Sequence, residues 1–170
     1  NTTISVAYAH TKAIYKEYEK GACWLTTPWH TGEVDAGQEG TENAPNGFCN
    51  RAGDRPNGQP ENTLMVQFKQ EIPISDDVYA LANIDYNYVG DTVTDTSNDP
   101  LSIIDSYSVW NARLIFKFVE QEMDLILWGR NITEEEYYGG FGTNAAFQEG
   151  RLINFYTEPA TYGITLKKRF

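Results

Sequence analysis

The sequence predicts an all-β protein, an antiparallel β-barrel that spans a membrane. Three observations predict this fold class: six segments alternate apolar and polar residues, short and long connections alternate between them, and the final segment ends on the aromatic Phe170. Membrane-spanning barrels have strands that are apolar on one face only, with short turns at one rim and long loops at the other. The observations together favour a barrel wall over a soluble sheet with a frayed edge strand.

The first three predicted strands each place their apolar residues on one face. They lie at about residues 4–9, 64–69 and 80–88. Alternation with a period of two is the pattern of a strand with one apolar face, and helical spacing fits these segments less well. The residues that share the apolar face are Ile4, Val6 and Tyr8, then Leu64, Val66 and Phe68, then Ala80, Ala82, Ile84, Tyr86 and Tyr88.

The last three predicted strands continue this pattern with one exception. The fourth covers residues 110–118 and the sixth covers 161–170. The fifth, at 124–132, is mixed in composition, so the sequence leaves open which of its residues face which side. In the other two, the residues of the apolar face are Trp110, Ala112, Leu114, Phe116 and Phe118, then Tyr162, Ile164, Leu166 and Phe170.

The connections predict the direction of the strands. Residues 73–77 and 119–122 form tight turns, whereas 19–61, 90–102 and 133–150 form long loops rich in Gly, Asp, Asn or Thr. If the long loops are external, odd strands run outward, even strands run inward and the C-terminus is periplasmic. Six strands are too few to close such a wall. We therefore expect the chain to be the C-terminal part of a larger barrel, with an internal start.

The composition excludes a membrane-spanning helix but not a barrel. The chain of 170 residues is 41% hydrophobic and has no run of about 18 apolar residues. Its mean hydropathy of -0.50 fits a barrel or a soluble domain. The net charge of -11 argues against nucleic-acid binding, because Lys and Arg are scattered except for Lys167–Arg169. We expect this short basic run to mark the membrane-proximal end of a strand.

The two cysteines, Cys23 and Cys49, favour a disulfide. They lie in a stretch rich in Gly, Pro and Asn without a nearby pair of metal-ligand type, so a disulfide is favoured over a zinc site. A disulfide would indicate an oxidising compartment. Closing this loop would contribute roughly 3 kcal/mol in the chain-entropy model.

Three segments near the end of the chain resemble a known family. They run from Tyr107 to Leu114, from Leu127 to Tyr137 and from Pro159 to Leu166, and are followed by the terminal Phe170. In order and spacing they resemble the C-terminal segments of TonB-dependent outer-membrane receptors. The cysteine-bearing stretch and the segment Arg55–Thr63 that follows it are similar to a disulfide-bearing external loop of those receptors.

The resemblance implies a transporter. Family members are barrels of about 22 strands that enclose an N-terminal plug. They import a large, scarce nutrient such as a siderophore, cobalamin, an oligosaccharide or a peptide, with energy relayed by the TonB complex. Residues 1–170 would supply the last six strands and three external loops. The chain lacks the plug and the segment that contacts TonB, so no energy-coupling residue is carried over.

The same resemblance implies the partners and the location. We expect the chain to contact the rest of the barrel, the plug, and the lipid and lipopolysaccharide of a Gram-negative outer membrane. The TonB complex would act through segments that the chain lacks. No cofactor and no nucleic-acid partner are expected.

Several residues of the resembling segments are expected to be architectural. Asn131 can end a strand's ladder through side-chain hydrogen bonds, and Tyr137 near the rim has an apolar ring and a wet hydroxyl. The barrel signature comprises Asn131, Tyr137, Tyr162 and Phe170. Aromatic residues are also expected to form girdles at the membrane interfaces, and the candidates are Tyr86, Tyr88, Tyr107, Trp110, Tyr162 and Phe170.

Ligand contacts are expected on inward polar positions or on external loops. In the first loop, Trp24, Trp29 and His30 could contact a substrate, with a small local core beside the disulfide as the alternative. For the inward positions, the alternative to ligand binding is a hydrated wall or one that contacts the plug. These positions are Asn83, Asp85, Asn87, Asn111 and Arg113.

Acidic residues in the later loops are weak candidates for a cation site. Carboxylate oxygens suit hard cations, but the spacing lacks the Gly turn and closing Glu of a calcium loop, so solvated acidic loops are the alternative. Gly139–Gly142 lacks a following phosphate-loop pattern and is predicted to be a flexible external loop. The acidic candidates are Asp91, Asp95 and Asp99, with Glu134, Glu135 and Glu136 in the third loop.

The sequence does not predict an enzyme. His10 and His30 have no spacing to a Ser or Cys that suggests a triad, and no paired carboxylates stand out from the general acidity. Two alternatives to a transporter stay open: a soluble secreted β-barrel or β-sandwich that binds a ligand, with the apolar face in its core, and a membrane barrel that serves as an adhesin or enzyme.

Overall fold

Six long strands form one antiparallel sheet in the computed structural model, which describes residues 1–23, 48–138, 143–144, 152–153 and 155–170. Two short hairpins and a 3-10 turn at Pro100–Ser102 lie in the connections. The long strands are β1 (Thr2–His10), β2 (Asn62–Pro73), β3 (Val78–Val89), β6 (Tyr107–Phe118), β7 (Met123–Arg130) and β10 (Thr161–Lys168). The short ones are β4 (Thr92–Val93), β5 (Ile103–Ile104), β8 (Thr143–Asn144) and β9 (Leu152–Ile153).

The all-β antiparallel prediction is confirmed, and each of the six predicted segments overlaps one long strand. The strands lie in the sheet in the order β1-β2-β3-β6-β7-β10, so each pairs with its neighbours in the chain. The tight connections 74–77 and 119–122 lie at one end of the sheet, whereas the connections 11–61, 90–106 and 131–160 leave and rejoin the strands at the other end. In the described residues, β1 and β10 form the two edges.

The strand register places most apolar residues of the six strands on one face. Directly opposite residues of an antiparallel pair project to the same side of the sheet. One row of partners runs Ile4, Phe68, Ile84, Ala112, Gly129 and Tyr162 across the whole sheet. The next row runs Val6, Val66, Tyr86 and Trp110. We call this side the apolar face.

The opposite side, which we call the polar face, carries most of the charged residues of the sheet. One row across it runs Thr3, Lys69, Asn83, Arg113, Trp128 and Gly163. The register also assigns the strand whose facing the sequence left open. In β7 the residues on the apolar face are Leu125, Leu127 and Gly129, and those on the polar face are Asp124, Ile126, Trp128 and Arg130.

The apolar face lacks a second layer in the described part of the chain. The main contacts between described elements are those of paired strands. Among the described residues, the buried hydrophobic ones are Cys49, Ala80 and Val93, whereas Val6 is 65% exposed and Ile164 is 73% exposed. No helix among the described residues is long and apolar enough to cross a membrane. No other described element therefore covers the apolar side chains of the sheet.

The base of the first loop is held by a disulfide and an arginine. Cys23 and Cys49 are joined, as predicted, and Cys49 also pairs through its backbone with Gly21. The buried Arg51 donates from Nε to the carbonyl oxygen of Ala22 at 2.9 Å and forms an ion pair with Asp54 at 3.1 Å. These contacts cross-link the two ends of the segment between the cysteines.

Replacing both Cys23 and Cys49 with serine is expected to lower the free energy of unfolding by about 3.5 kcal/mol in the chain-entropy model for this loop. The bond spans 26 residues, and its loss releases that length of chain in the unfolded state. Denaturant titration of the oxidised protein and the double variant measures the difference. Thiol counting under denaturing, non-reducing conditions is the control, and two reactive thiols in the wild-type protein would contradict the pairing.

Candidate functional site

Two aromatic rings lie over two glycines where β10 pairs with β7. Tyr162 opposes Gly129 on the apolar face, and Trp128 opposes Gly163 on the polar face. A Cβ atom at Gly163 would lie 2.6 Å from Trp128 Cε2, and one at Gly129 would lie 2.9 Å from Tyr162 Cδ1. Each glycine thus leaves the space that the opposing ring fills. The two rings hold the last strand from both sides of the sheet.

On the polar face, the Trp128 ring forms one wall of an open groove of about 520 Å³. The indole Nε1 donates to Thr165 Oγ1 at 3.3 Å, and the Arg130 guanidinium lies 5.5 Å from the ring centre. A guanidinium at this distance from an indole is attracted by the ring's quadrupole. The polar and charged side chains of the groove are Asp85, Asn111, Arg113, Arg130, Thr165 and Lys167.

The five predicted inward positions lie on the polar face, and the groove brings together three of them, Asp85, Asn111 and Arg113. Asp85 Oδ1 accepts a hydrogen bond from Gln67 Nε2 at 2.7 Å, and Asn111 Oδ1 accepts one from the backbone N–H of Asn131 at 3.1 Å. The other two predicted positions, Asn83 and Asn87, lie on the same face outside this groove.

Asn131 joins three parts of the chain just beyond β7. Its side-chain Oδ1 accepts from the N–H of Glu135 at 2.9 Å, and its Nδ2 donates to the carbonyl oxygens of Glu135 at 2.9 Å and Glu158 at 3.2 Å. Its backbone is in the left-handed region with φ 46°, which Asn tolerates better than most residues. The residue is 6% exposed, so these bonds satisfy groups that lie away from water.

Aromatic pairs line the long loops near the ends of the strands. Tyr137 stacks on Tyr107, with ring centres 3.8 Å apart and an angle of 16° between the planes. Tyr138 and Tyr156 pair through both backbone and rings, and a hydrogen bond with Tyr156 raises the pKa of the Tyr138 phenol. The connection 131–160 therefore contacts the first residue of β6 through a tyrosine ring, and two of its own tyrosines pair with each other.

The aromatic residues predicted to form a girdle divide between the two faces. Tyr86 and Trp110 are opposed on the apolar face, with ring centres 4.6 Å apart, and Tyr88 lies on the same face. Tyr162 lies there too, and its hydroxyl donates to the carbonyl oxygen of Ile132 at 3.3 Å. Tyr107 lies on the polar face, because strand alternation turns it there, three residues from Trp110.

Phe170 is fully exposed beyond the end of β10. The preceding residue, Arg169, donates its backbone N–H to the carbonyl oxygen of Glu122 at 3.0 Å. Its guanidinium lies 3.7 Å from Asp124. The end of the chain is thus attached to the tight connection between β6 and β7, and the terminal ring projects outward.

The acidic candidates for a cation site have partners within the protein. Asp91 forms an ion pair with Arg55, Asp95 accepts from the N–H of Ser97 at 3.0 Å, and Asp99 accepts from the N–H of Leu101 at 2.8 Å. Of the third-loop candidates, Glu135 bonds to Asn131 through its backbone, and Glu134 and Glu136 lie beside it. Across the described ranges, no group of three metal-type side chains is close enough to hold an ion.

Two sets of predicted residues lie outside the described residues. They are Trp24, Trp29 and His30 in the first loop and Gly139–Gly142 in the third.

Four polar or aromatic residues of the groove are not among the predicted site residues: Trp128, Arg130, Thr165 and Lys167. The mixed composition of 124–132 gives no facing for the fifth strand, and the sequence presents Lys167 only as part of a basic run. A usable signal was present in the pair of sequences Trp128-Gly129 and Tyr162-Gly163, since an aromatic opposite a glycine on both faces fixes the register of the two strands.

Comparison of the chain with models of protein families, with curated proteins and with solved structures finds no match.

Proposed function

We propose that the chain is the C-terminal wall of a TonB-dependent outer-membrane receptor that takes up a large, scarce nutrient. The observation that carries this proposal is the apolar face, which continues across all six strands and is not covered by a second layer of described residues. A soluble sheet would need a partner layer to shield such a face from water. Acyl chains of a bilayer supply that cover without further protein.

Strand length and the position of the aromatic residues agree with a membrane wall. β2, β3 and β6 have 12 residues each, which corresponds to about 40 Å along the strand and about 28 Å across a bilayer at a tilt of about 45°. Tyr8, Tyr86, Tyr88, Trp110 and Tyr162 lie on the apolar face near the ends that carry the long loops. Tyr and Trp favour the interface between acyl chains and water.

In this function the polar face lines the lumen and the long loops are external. The loops capture the ligand, and movement of a plug within the barrel opens the path to the periplasm, where the C-terminus lies. The plug, the remaining strands and the TonB-contacting segment would come from outside residues 1–170. The resemblance of the three C-terminal segments to the receptor family supports the choice of transport over adhesion.

Spin labels at two adjacent positions of β6 test the membrane location. Cysteine is introduced at Leu114 on the apolar face or at Arg113 on the polar face of the full-length protein, and nitroxide collision rates are measured in liposomes. We expect the label at 114 to collide often with oxygen, which concentrates in lipid, and rarely with a water-soluble nickel chelate. The label at 113 is expected to show the reverse.

The pattern of collisions separates the competing functions. If the apolar face is the core of a soluble protein, the label at 114 collides rarely with both reagents, and the transporter proposal is wrong. The unlabelled wild-type protein is the control for reaction at Cys23 and Cys49. Substrate uptake by cells that carry the full-length protein then distinguishes a transporter from a membrane adhesin.

A further inference from the structure

The polar face of β6, β7 and β10 is basic in an otherwise acidic chain. The whole sequence has a net charge of -11. On this part of the polar face, the cations are Arg113, Lys117, Arg130 and Lys167, and the single carboxylate is Asp124. Asp124 is engaged by Arg169 at 3.7 Å. Positive charge therefore prevails over a surface that spans three strands.

The three cations that line the groove form no ion pair with a carboxylate in the part of the chain that the structure describes. Among the described residues, no Asp or Glu oxygen lies within ion-pair distance of Arg113, Arg130 or Lys167. Arg130 contacts the Trp128 ring, and all three cations are exposed. Asp85 lies at the edge of the groove, where its carboxylate is bonded to Gln67. Asp85 and Asp124 offset part of the positive charge, but none of the three cations of the groove forms an ion pair with a described carboxylate.

The cations are arranged along the strands and do not converge on one point. Arg113 lies in the row of Trp128, Lys117 and Lys167 lie in the row of Asp124, and Arg130 lies two residues from Trp128 toward the long loops. At about 3.3 Å per residue, the first two rows are roughly 13 Å apart, and Arg130 is roughly 7 Å beyond the row of Trp128. A single small anion cannot contact all of them, whereas an elongated ligand with several anionic groups can.

We propose that this groove binds a polyanionic small molecule, with Arg113, Arg130 and Lys167 each contacting a carboxylate or phosphate group. The Trp128 ring positions the Arg130 guanidinium, and Thr165 holds the indole through its Nε1. This proposal rests on the proposed function, because it states the chemical class of ligand that the wall of the lumen binds. Acidic residues elsewhere on the chain repel such a ligand, so the groove is the surface that favours it.

Equilibrium dialysis of inorganic tripolyphosphate with the full-length protein in detergent tests whether the groove binds a polyanion. The salt concentration is about 150 mM, at which exposed charges are screened beyond about 8 Å. The matched variants are Lys167→Gln and Lys168→Gln. Each substitution removes one positive charge, but Lys167 lies on the polar face and Lys168 lies on the apolar face. We expect Lys167→Gln and Arg113→Gln each to weaken binding about fivefold, and Lys168→Gln to change it less than twofold.

Three results would overturn the proposal. The first is no binding of tripolyphosphate to the wild-type protein, and the second is an equal effect of Lys167→Gln and Lys168→Gln. The third is unchanged tripolyphosphate binding by Arg113→Gln together with a lower unfolding temperature. That result would indicate that the cations pair with an acidic surface of the same protein and stabilise its fold. Collision rates at position 114 do not depend on the anion. Tripolyphosphate binding can therefore be absent while the collision rates still place position 114 in lipid. Equally, the collision rates can exclude lipid at position 114 while tripolyphosphate still binds.

Discussion

Replacing Gly163 with valine is expected to destabilise the protein by about 3 kcal/mol, near the upper end of the usual cost of overpacking. Valine favours strands more than glycine does, so a gain would be expected if the site were open. The structure leaves no such space, because a Cβ at this position would lie 2.6 Å from Trp128 Cε2. Either the indole leaves Gly163 and Thr165, or β10 moves away from β7. Denaturant titration in detergent measures the loss.

A double-mutant cycle assigns this loss to the ring. In a Trp128→Ala background the space over position 163 is open, so Gly163→Val is expected to be neutral or stabilising. The coupling free energy between the two sites should reach about 3 kcal/mol, at the upper end of the range for residues in direct contact. Additive effects of the two substitutions would contradict the role of the Trp128 ring in holding the last strand.

Replacing Asn131 with alanine is expected to cost about 3 kcal/mol. The substitution leaves the N–H of Glu135 and the carbonyl oxygens of Glu135 and Glu158 without their side-chain partner. Unsatisfied groups away from water cost about 1–3 kcal/mol each, and partial access to water reduces the sum. Alanine also tolerates the left-handed backbone poorly, at a cost of about 1 kcal/mol. Thermal unfolding and proteolysis of the loop 131–160 provide the measurements.

Two further variants at the same position separate the causes. Asn131→Gly accepts the φ of 46° but loses the hydrogen bonds, so it should be about 1 kcal/mol less damaging than alanine. Asn131→Asp keeps the acceptor for Glu135 and places a carboxylate beside two carbonyl oxygens, which predicts a loss at neutral pH that is partly restored by acid. Equal stability of all three variants and the wild type would exclude an architectural role for the side chain.

The alternation of side chains predicted the strands because a strand's facing is a local property. In β3, Ala80, Ala82, Ile84, Tyr86 and Tyr88 share one face, as the pattern indicates, and Leu81 is the one apolar residue between them on the other face. In β7 the pattern failed, since Ile126 and Trp128 are apolar residues on the polar face. The face on which they lie is set by the register of β7 with β6 and β10. The sequence of a single segment does not determine that register.

The groove could be predicted only in part, because its residues come from four strands. The inward positions Asp85, Asn111 and Arg113 followed from alternation in β3 and β6. The contributions of Arg130 and Lys167 required the pairing of β7 with β10. The hydrogen bonds of Asn131 likewise depend on Glu158, which is distant in sequence and arrives only when the last loop folds back.

The unequal connections impose an order on the assembly of the sheet. The hairpins β2-β3 and β6-β7 close over the short segments 74–77 and 119–122, so they form with little loss of chain entropy. The other three pairings must each close a long segment, and the cost of closure grows with its length. The disulfide and the β4-β5 hairpin shorten two of these segments internally. We therefore expect the hairpins to form first, and the compactness of each loop to determine how fast they join.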